Sequence, residues 1–302
     1  MALDPVLRAI ISICILVFSA KVLGELFAKF RLPSVLGELF AGILLGPFAF
    51  GAFITIGGSP VIQLNEIVRA FGEIGGILIL FVAGLEMTFK DFRHVGSASF
   101  TVGTIGVIVP FIMGYGFSML IGFDPIASLV IAAALVATSI AITSLVLTEL
   151  RQSHTVESKV MISAAVVDDV LGLTILGIIV SFINSSAPLS PLNIALVILE
   201  SIIIWLIMVA TASYILPRII NLLARGKSEE TLEAAATASC FGAAALAAYI
   251  GLSPIVGAFA AGMALANSRS IEKIRDFSKK VSTVFSPVFF RCSFQLPKLL
   301  NL

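Results

Sequence analysis

Charge is scarce in this chain. Of its 302 residues 12% are charged, roughly half the share of a soluble domain, while 59% are hydrophobic and the mean hydropathy is +1.11. An ordinary soluble domain is excluded, and a membrane protein is implied. Three cysteines, Cys14, Cys240 and Cys292, lie far apart in apolar runs without CxxC spacing, and His94 and His154 are the only histidines. A disulfide framework and a zinc centre are not expected from that inventory. A net charge of +1 offers no general basic surface for nucleic acid. Walker loops, GxSxG elbows, HExxH pairs and GxGxxG turns are missing, so neither an enzyme nor a bound cofactor is expected.

What the chain does have is long apolar runs. A bilayer core of about 30 Å takes roughly 20 apolar residues per helix, each satisfying its own backbone. About ten helices follow, over 6–28, 34–50, 67–88, 97–121, 126–148, 158–183, 192–216, 231–249, 253–267 and 281–296. The first runs through Lys21 and Glu25 and does not read as a cleaved signal peptide. Lys21 and Glu25, four residues apart, are expected to pair along that helix. Residues 268–280 read as an amphipathic surface linker that attracts anionic lipid.

Alternate loops hold 14 of the 19 lysines and arginines. The positive-inside rule then puts the N-terminus outside a cell membrane. Glu38, Glu73 and Glu86 lie near helix ends or glycine-rich faces, where they could line an inner funnel for cations.

The segment LPSVLGELFAGILLGP from Leu32 matches LSPIVGAFAAGMALAN from Leu252 at a constant offset of 220 residues, and Pro33 and Pro254 sit at the start of the two copies. In the topology above the copies run in opposite directions, as in transporters whose substrate site lies where inverted repeats meet. The plainer reading is that glycine and alanine recur wherever membrane helices pack.

Asp168 and Asp169 are the outstanding charges. They stand in MISAAVVDDVLGLTILGIIV, about eleven residues and so about 16 Å into their helix, where each charge carries an insertion cost of roughly 2.5 to 3.5 kcal/mol. Neighbouring positions point about 100° apart, so one carboxylate can face a cavity while the other takes a structural partner. Thr138 and Ser139, on the preceding antiparallel helix, fall at matching depth. Carboxylates and hydroxyls suit a hard cation. Alone, such hydroxyls bond back to their own helix.

Several stretches carry a family resemblance: LGELFAGILLGP at 36–47, LFVAGLEM at 80–87, ATSIAITSLVLTEL at 137–150, AAVVDDVLGL at 164–173 and the second copy at 252–267. Together they resemble the monovalent cation:proton antiporter-2 family, and the double aspartate resembles its NapA-type sodium/proton members. The resemblance implies an all-α polytopic protein built on an inverted repeat, with a dimerisation domain and a mobile core domain in which two broken helices cross. It implies that Asp169 carries the ion (transiently sodium or lithium) or the proton, that Asp168 is its partner, and that Thr138 and Ser139 lie at the first crossing. Within one exchanger domain over 1–302, residues 34–183 would form the first repeat and 253–302 a partial second one. A homodimer in membrane lipid is implied as well.

Where the family usually reads like PIFFVSVGL, this chain reads PVFFRCSFQLPKLLNL, so the likeness fades at Arg291. A truncated second repeat is the expectation, as from a fragment, a frameshift or a split gene. Arg291 is then a candidate counter-ion to Asp168 in place of the family's lysine. Two rivals stand beside sodium/proton exchange: a potassium/proton efflux transporter of the same family, and a transport-inactive membrane subunit.

Overall fold

A computed structural model describes residues 4–46, 55–56, 59–60, 65–136, 138–185, 191–223, 229–268 and 270–293. Eleven helices occur among them: α1 (Pro5–Lys29), α2 (Ser34–Leu44), α3 (Glu66–Leu85), α4 (Phe89–Ile121), α5 (Pro125–Val136), α6 (Ile140–Glu149), α7 (Val156–Ser185), α8 (Pro191–Leu223), α9 (Glu229–Tyr249), α10 (Pro254–Leu265) and α11 (Ile271–Ser293). Two-residue strands at Thr55–Ile56 and Ser59–Pro60 pair antiparallel between α2 and α3. Among the described residues, five spans are long and apolar enough to cross a membrane.

Several boundaries depart from the hydropathy reading: α4 begins at Phe89 rather than 97, α8 runs on to Leu223, and three further differences bear on the packing. The apolar run over 126–148 is two helices, α5 and α6, interrupted at 138–139. Neither proline nor glycine marks the interruption; the residues there are Thr138 and Ser139, and hydroxyl side chains can replace the helical ladder with local bonds. The surface linker and the last span are a single helix, α11, whose polar first half continues into VSTVFSPVFF. Finally, α2 stops at Leu44, and the remainder of its expected span, from 47 on, lies outside the described residues.

The helices pack in two groups. In the first, α1 lies on α2, α9 on α10, and α3 on both α10 and α11. In the second, α4 lies along α5 and α7, with Val107, Val136 and Leu171 buried between them. α6 bridges the groups: its Ile140 and Ala141 share a buried cluster with Val35, Ile79, Phe259 and Met263 of the first group and with Ile162 and Val166 of α7.

The repeat reappears in the packing. A Cβ on Gly37 would stand 2.4 Å from the Leu23 carbonyl oxygen, and one on Gly257 would stand 2.4 Å from the Ala243 carbonyl oxygen, so the backbones of α1 and α2, and of α9 and α10, meet at matching places 220 residues apart. The turns correspond too. Leu32 N–H bonds the Phe27 carbonyl and Leu252 N–H the Ala247 carbonyl, around Arg31 (φ 59°) and Gly251 (φ 82°) in the left-handed region that this helix ending requires. Gly84 and Gly262 let α3 and α10 approach as closely, since a Cβ on either would lie 2.3 Å from a carbonyl oxygen of the other helix.

Ion pairs of two buried glutamates brace the first group. Glu38 is only 7% exposed at its side chain; it takes Lys21 Nζ on one oxygen at 2.5 Å and the Ser286 hydroxyl on the other at 3.0 Å, tying α2 to α1 and α11. The expected partner Glu25 is exposed: Lys21 reaches across to α2 because a buried carboxylate needs a cation more than a solvated one does. Glu86 likewise pairs with Lys279 at 2.6 Å.

Candidate ion site

The site is built where α7 passes the interruption between α5 and α6. Asp168 is buried, 7% exposed, and its Oδ2 accepts the Thr138 hydroxyl. Its Oδ1 is enclosed with no hydrogen-bond partner among the described residues. Asp169, one position further round the helix, is half-buried. The pair therefore divides as adjacent helical positions must, one inward and one toward more open space.

Local chemistry explains the surroundings. Breaking the helix frees the last carbonyls of α5 and the first N–H groups of α6, and such half-helix ends present partial charges to an ion. Ser139 caps α6, its Oγ accepting the Ile142 N–H at 3.5 Å, while Thr143 Oγ1 donates to the Ser139 carbonyl at 3.4 Å. Thr138 thus reaches Asp168, whereas Ser139 is occupied with its own helix. On the far side, close contact of α4 with α7 depends on Gly103, where a Cβ would meet the Ala164 carbonyl oxygen at 2.7 Å.

Other candidates lie elsewhere. Glu73 is exposed and, with Arg69, lines a cavity of about 360 Å³ between α3, α10 and α11 that includes Ser253, Phe289 and Cys292 but neither aspartate. Glu38 and Glu86 are consumed in ion pairs, which removes them as free charges of a funnel. Arg291 falls in the last turn of α11, and its side chain lies outside the described residues. No cluster of three or more His, Cys, Asp or Glu that could hold a resident metal occurs among the described residues.

A family model for the transmembrane sodium/hydrogen exchangers matches residues 13–293. The chain belongs to the sodium/hydrogen exchanger family. It is a multi-pass membrane protein of a family of secondary transporters that exchange cations for protons. It is 32% identical over 277 residues to the probable Na+/H+ antiporter GerT of Bacillus cereus, covering 91% of this chain and 70% of that one. It is 30% identical to the Na+/H+-K+ antiporter GerN of the same organism, covering 92% and 69%, and 30% identical to the high-affinity Na+/H+ antiporter NhaS3 of Synechocystis sp., covering 94% and 67%. Its fold is similar to that of the sodium proton antiporter MjNhaP1 from Methanocaldococcus jannaschii, with a TM-score of 0.61, 17% sequence identity, and coverage of 98% of this chain and 72% of that chain. The overall fold is therefore that of an exchanger.

Proposed function

We propose that this exchanger-family chain carries sodium or lithium against protons, and that Asp168 and Asp169 are where the two compete. The observation that carries the reading is the pairing of a half-buried Asp169 with an enclosed Asp168 whose one oxygen is held by Thr138 at a helix interruption and whose other oxygen is unpartnered. An enclosed acceptor without a partner costs about 1 to 3 kcal/mol, which a bound cation or proton relieves. A carboxylate that holds one of these cannot hold the other at the same time, so occupancy by the cation expels the proton. If the group bearing the site moves against the other only when occupied, competition at one place becomes exchange. Each net charge moved draws about 2.3 kcal/mol per 100 mV from the membrane potential.

Asp169 takes the carrier role and Asp168 the partner role, as the resemblance implies. An inverted relation between the two hairpins, an outward N-terminus and a homodimer complete the proposal. Potassium is the second cation to test, because GerN, 30% identical to this chain, is described as a Na+/H+-K+ antiporter.

The deciding measurement is proton release. Adding sodium to the purified chain in weakly buffered detergent should release protons, and Asp169→Asn, which keeps the volume but cannot exchange a proton, should abolish the release while helicity is unchanged. Undiminished release from a folded Asp169→Asn variant would move the carrier elsewhere, with Glu73 next. Running lithium and potassium in parallel ranks the cations.

A further inference from the structure

At the end of α6 away from the aspartates, Glu149 makes a long-range contact that the ion site itself does not explain. Its Oε1 accepts the Ser34 N–H at 2.5 Å and its Oε2 the Val35 N–H at 3.3 Å. These are the first two amides of α2, a helix whose N-cap, Pro33, provides no side-chain cap. A helix start has orphan N–H groups and a partial positive charge, and a carboxylate satisfies both. α2 is thus capped from 115 residues away in sequence.

The other end of α6 is the ion site. The helix has ten residues, so it is a rod of about 15 Å, and the interruption at 138–139 has cut it from α5. Ser139 opens it, and Thr138 just before it bonds Asp168. Its terminus by Glu149 is equally defined: Arg151 takes the left-handed conformation (φ 57°), with its N–H on the Thr148 carbonyl and the Gln152 N–H on the Leu147 carbonyl. One short, sharply bounded helix therefore grips α2 of the first packing group at one end and touches the aspartate of the second at the other.

We propose that Glu149 is a positioning residue: through the rod of α6, its hold on the start of α2 sets where Thr138 stands against Asp168, and so how tightly the site takes its cation. The second hairpin cannot make the Ser34 half of this contact. Its residue matching Ser34 at the 220-residue offset is Pro254, at the first position of α10, which has no N–H to give. The same comparison supplies a mild way to cut the contact, since a hairpin of this kind already accepts proline there, and Pro33, at φ −53° and ψ 130°, has the backbone a following proline demands.

The inference rests on the ion-carrying reading for its purpose, while hydrogen exchange tests the coupling without any ion. In nanodiscs, Glu149→Ala, which removes both acceptors, should raise amide exchange tenfold or more in the α6 segment 139–143, and Ser34→Pro, which removes one donor and leaves the Val35 N–H on Oε2, should raise it by less, with α3 and α10 unchanged in both. Glu149→Gln, which keeps one acceptor, should recover part of the protection. In the proton-release assay the same variants should shift the half-maximal sodium concentration several-fold at full amplitude, whereas Asp169→Asn loses the amplitude. Faster exchange confined to the amides of α2, no change in either segment, or a uniform rise across α3 and α10 would each overturn the proposal. Absence of sodium-linked release from the unaltered protein would instead count against the ion-carrying reading and leave the exchange result to decide this one.

Discussion

Thr138 and Asp168 are 30 residues apart and joined by a hydrogen bond in which the threonine hydroxyl donates to Oδ2. The bond crosses from the interrupted helix to α7, so it links a segment that has lost its helical ladder to the buried member of the acid pair. An arrangement in which the hydroxyl is spent on one oxygen leaves the other buried without a donor among the described residues.

That division predicts an order of damage. Thr138→Ala should weaken apparent cation affinity by several-fold, since one neutral hydrogen bond is worth about 0.5 to 1.5 kcal/mol net. Asp168→Asn should cost more stability than transport, because it replaces a partner charge in a packed site. Thermal unfolding and sodium titration of the two variants side by side check the order; a Thr138→Ala protein with unaltered sodium response would remove the hydroxyl from the site.

The two hairpins give a packing prediction. Gly37→Ala and Gly257→Ala each place a methyl group 2.4 Å from a backbone oxygen that cannot yield without parting two helices, so each should lose about 1 to 3 kcal/mol. Gly106→Ala, with nothing within 4 Å of its added Cβ, should gain up to about 1 kcal/mol from helix propensity. Melting temperatures in one detergent settle the comparison, and equal effects at all three positions would refute the close approach.

For the brace on α2, the asymmetry of exposure matters. The Lys21 side chain is 41% exposed and Glu38 only 7%. Lys21→Met strands a buried carboxylate and should destabilise by about 3 kcal/mol, the lower end for a broken buried pair. Glu38→Gln leaves a cation that can swing to solvent or headgroups and should cost less, and the double variant should recover much of the Lys21→Met loss. A double variant no better than Lys21→Met would show that the pair is not the source of the loss.

Orientation is tested separately. With the three native cysteines replaced, a single cysteine at Gln152, in the basic loop after α6, should resist an impermeant maleimide applied to intact cells and react after permeabilisation. Labelling from outside would invert the topology.

Membrane class, most of the helices and the repeated hairpin were legible in the sequence because hydropathy and glycine spacing are local properties that the bilayer enforces segment by segment. The offset of 220 already linked Leu32 with Leu252, and the same offset governs the turns and the helix contacts. What local reading could not supply were the choices made between distant segments. Hydropathy runs unbroken through 126–148, with no proline or glycine to stop it, so the interruption at 138–139 appears only in the fold, where Asp168 gives the freed Thr138 a partner on another helix. The four-residue spacing of Lys21 and Glu25 suggested a pair, and α2 overruled it by offering Glu38 in a place where a lone charge is costly. The contact of Glu149 with the start of α2 leaves no trace in periodicity, because only close packing brings a carboxylate to the orphan amides of a helix more than a hundred residues away.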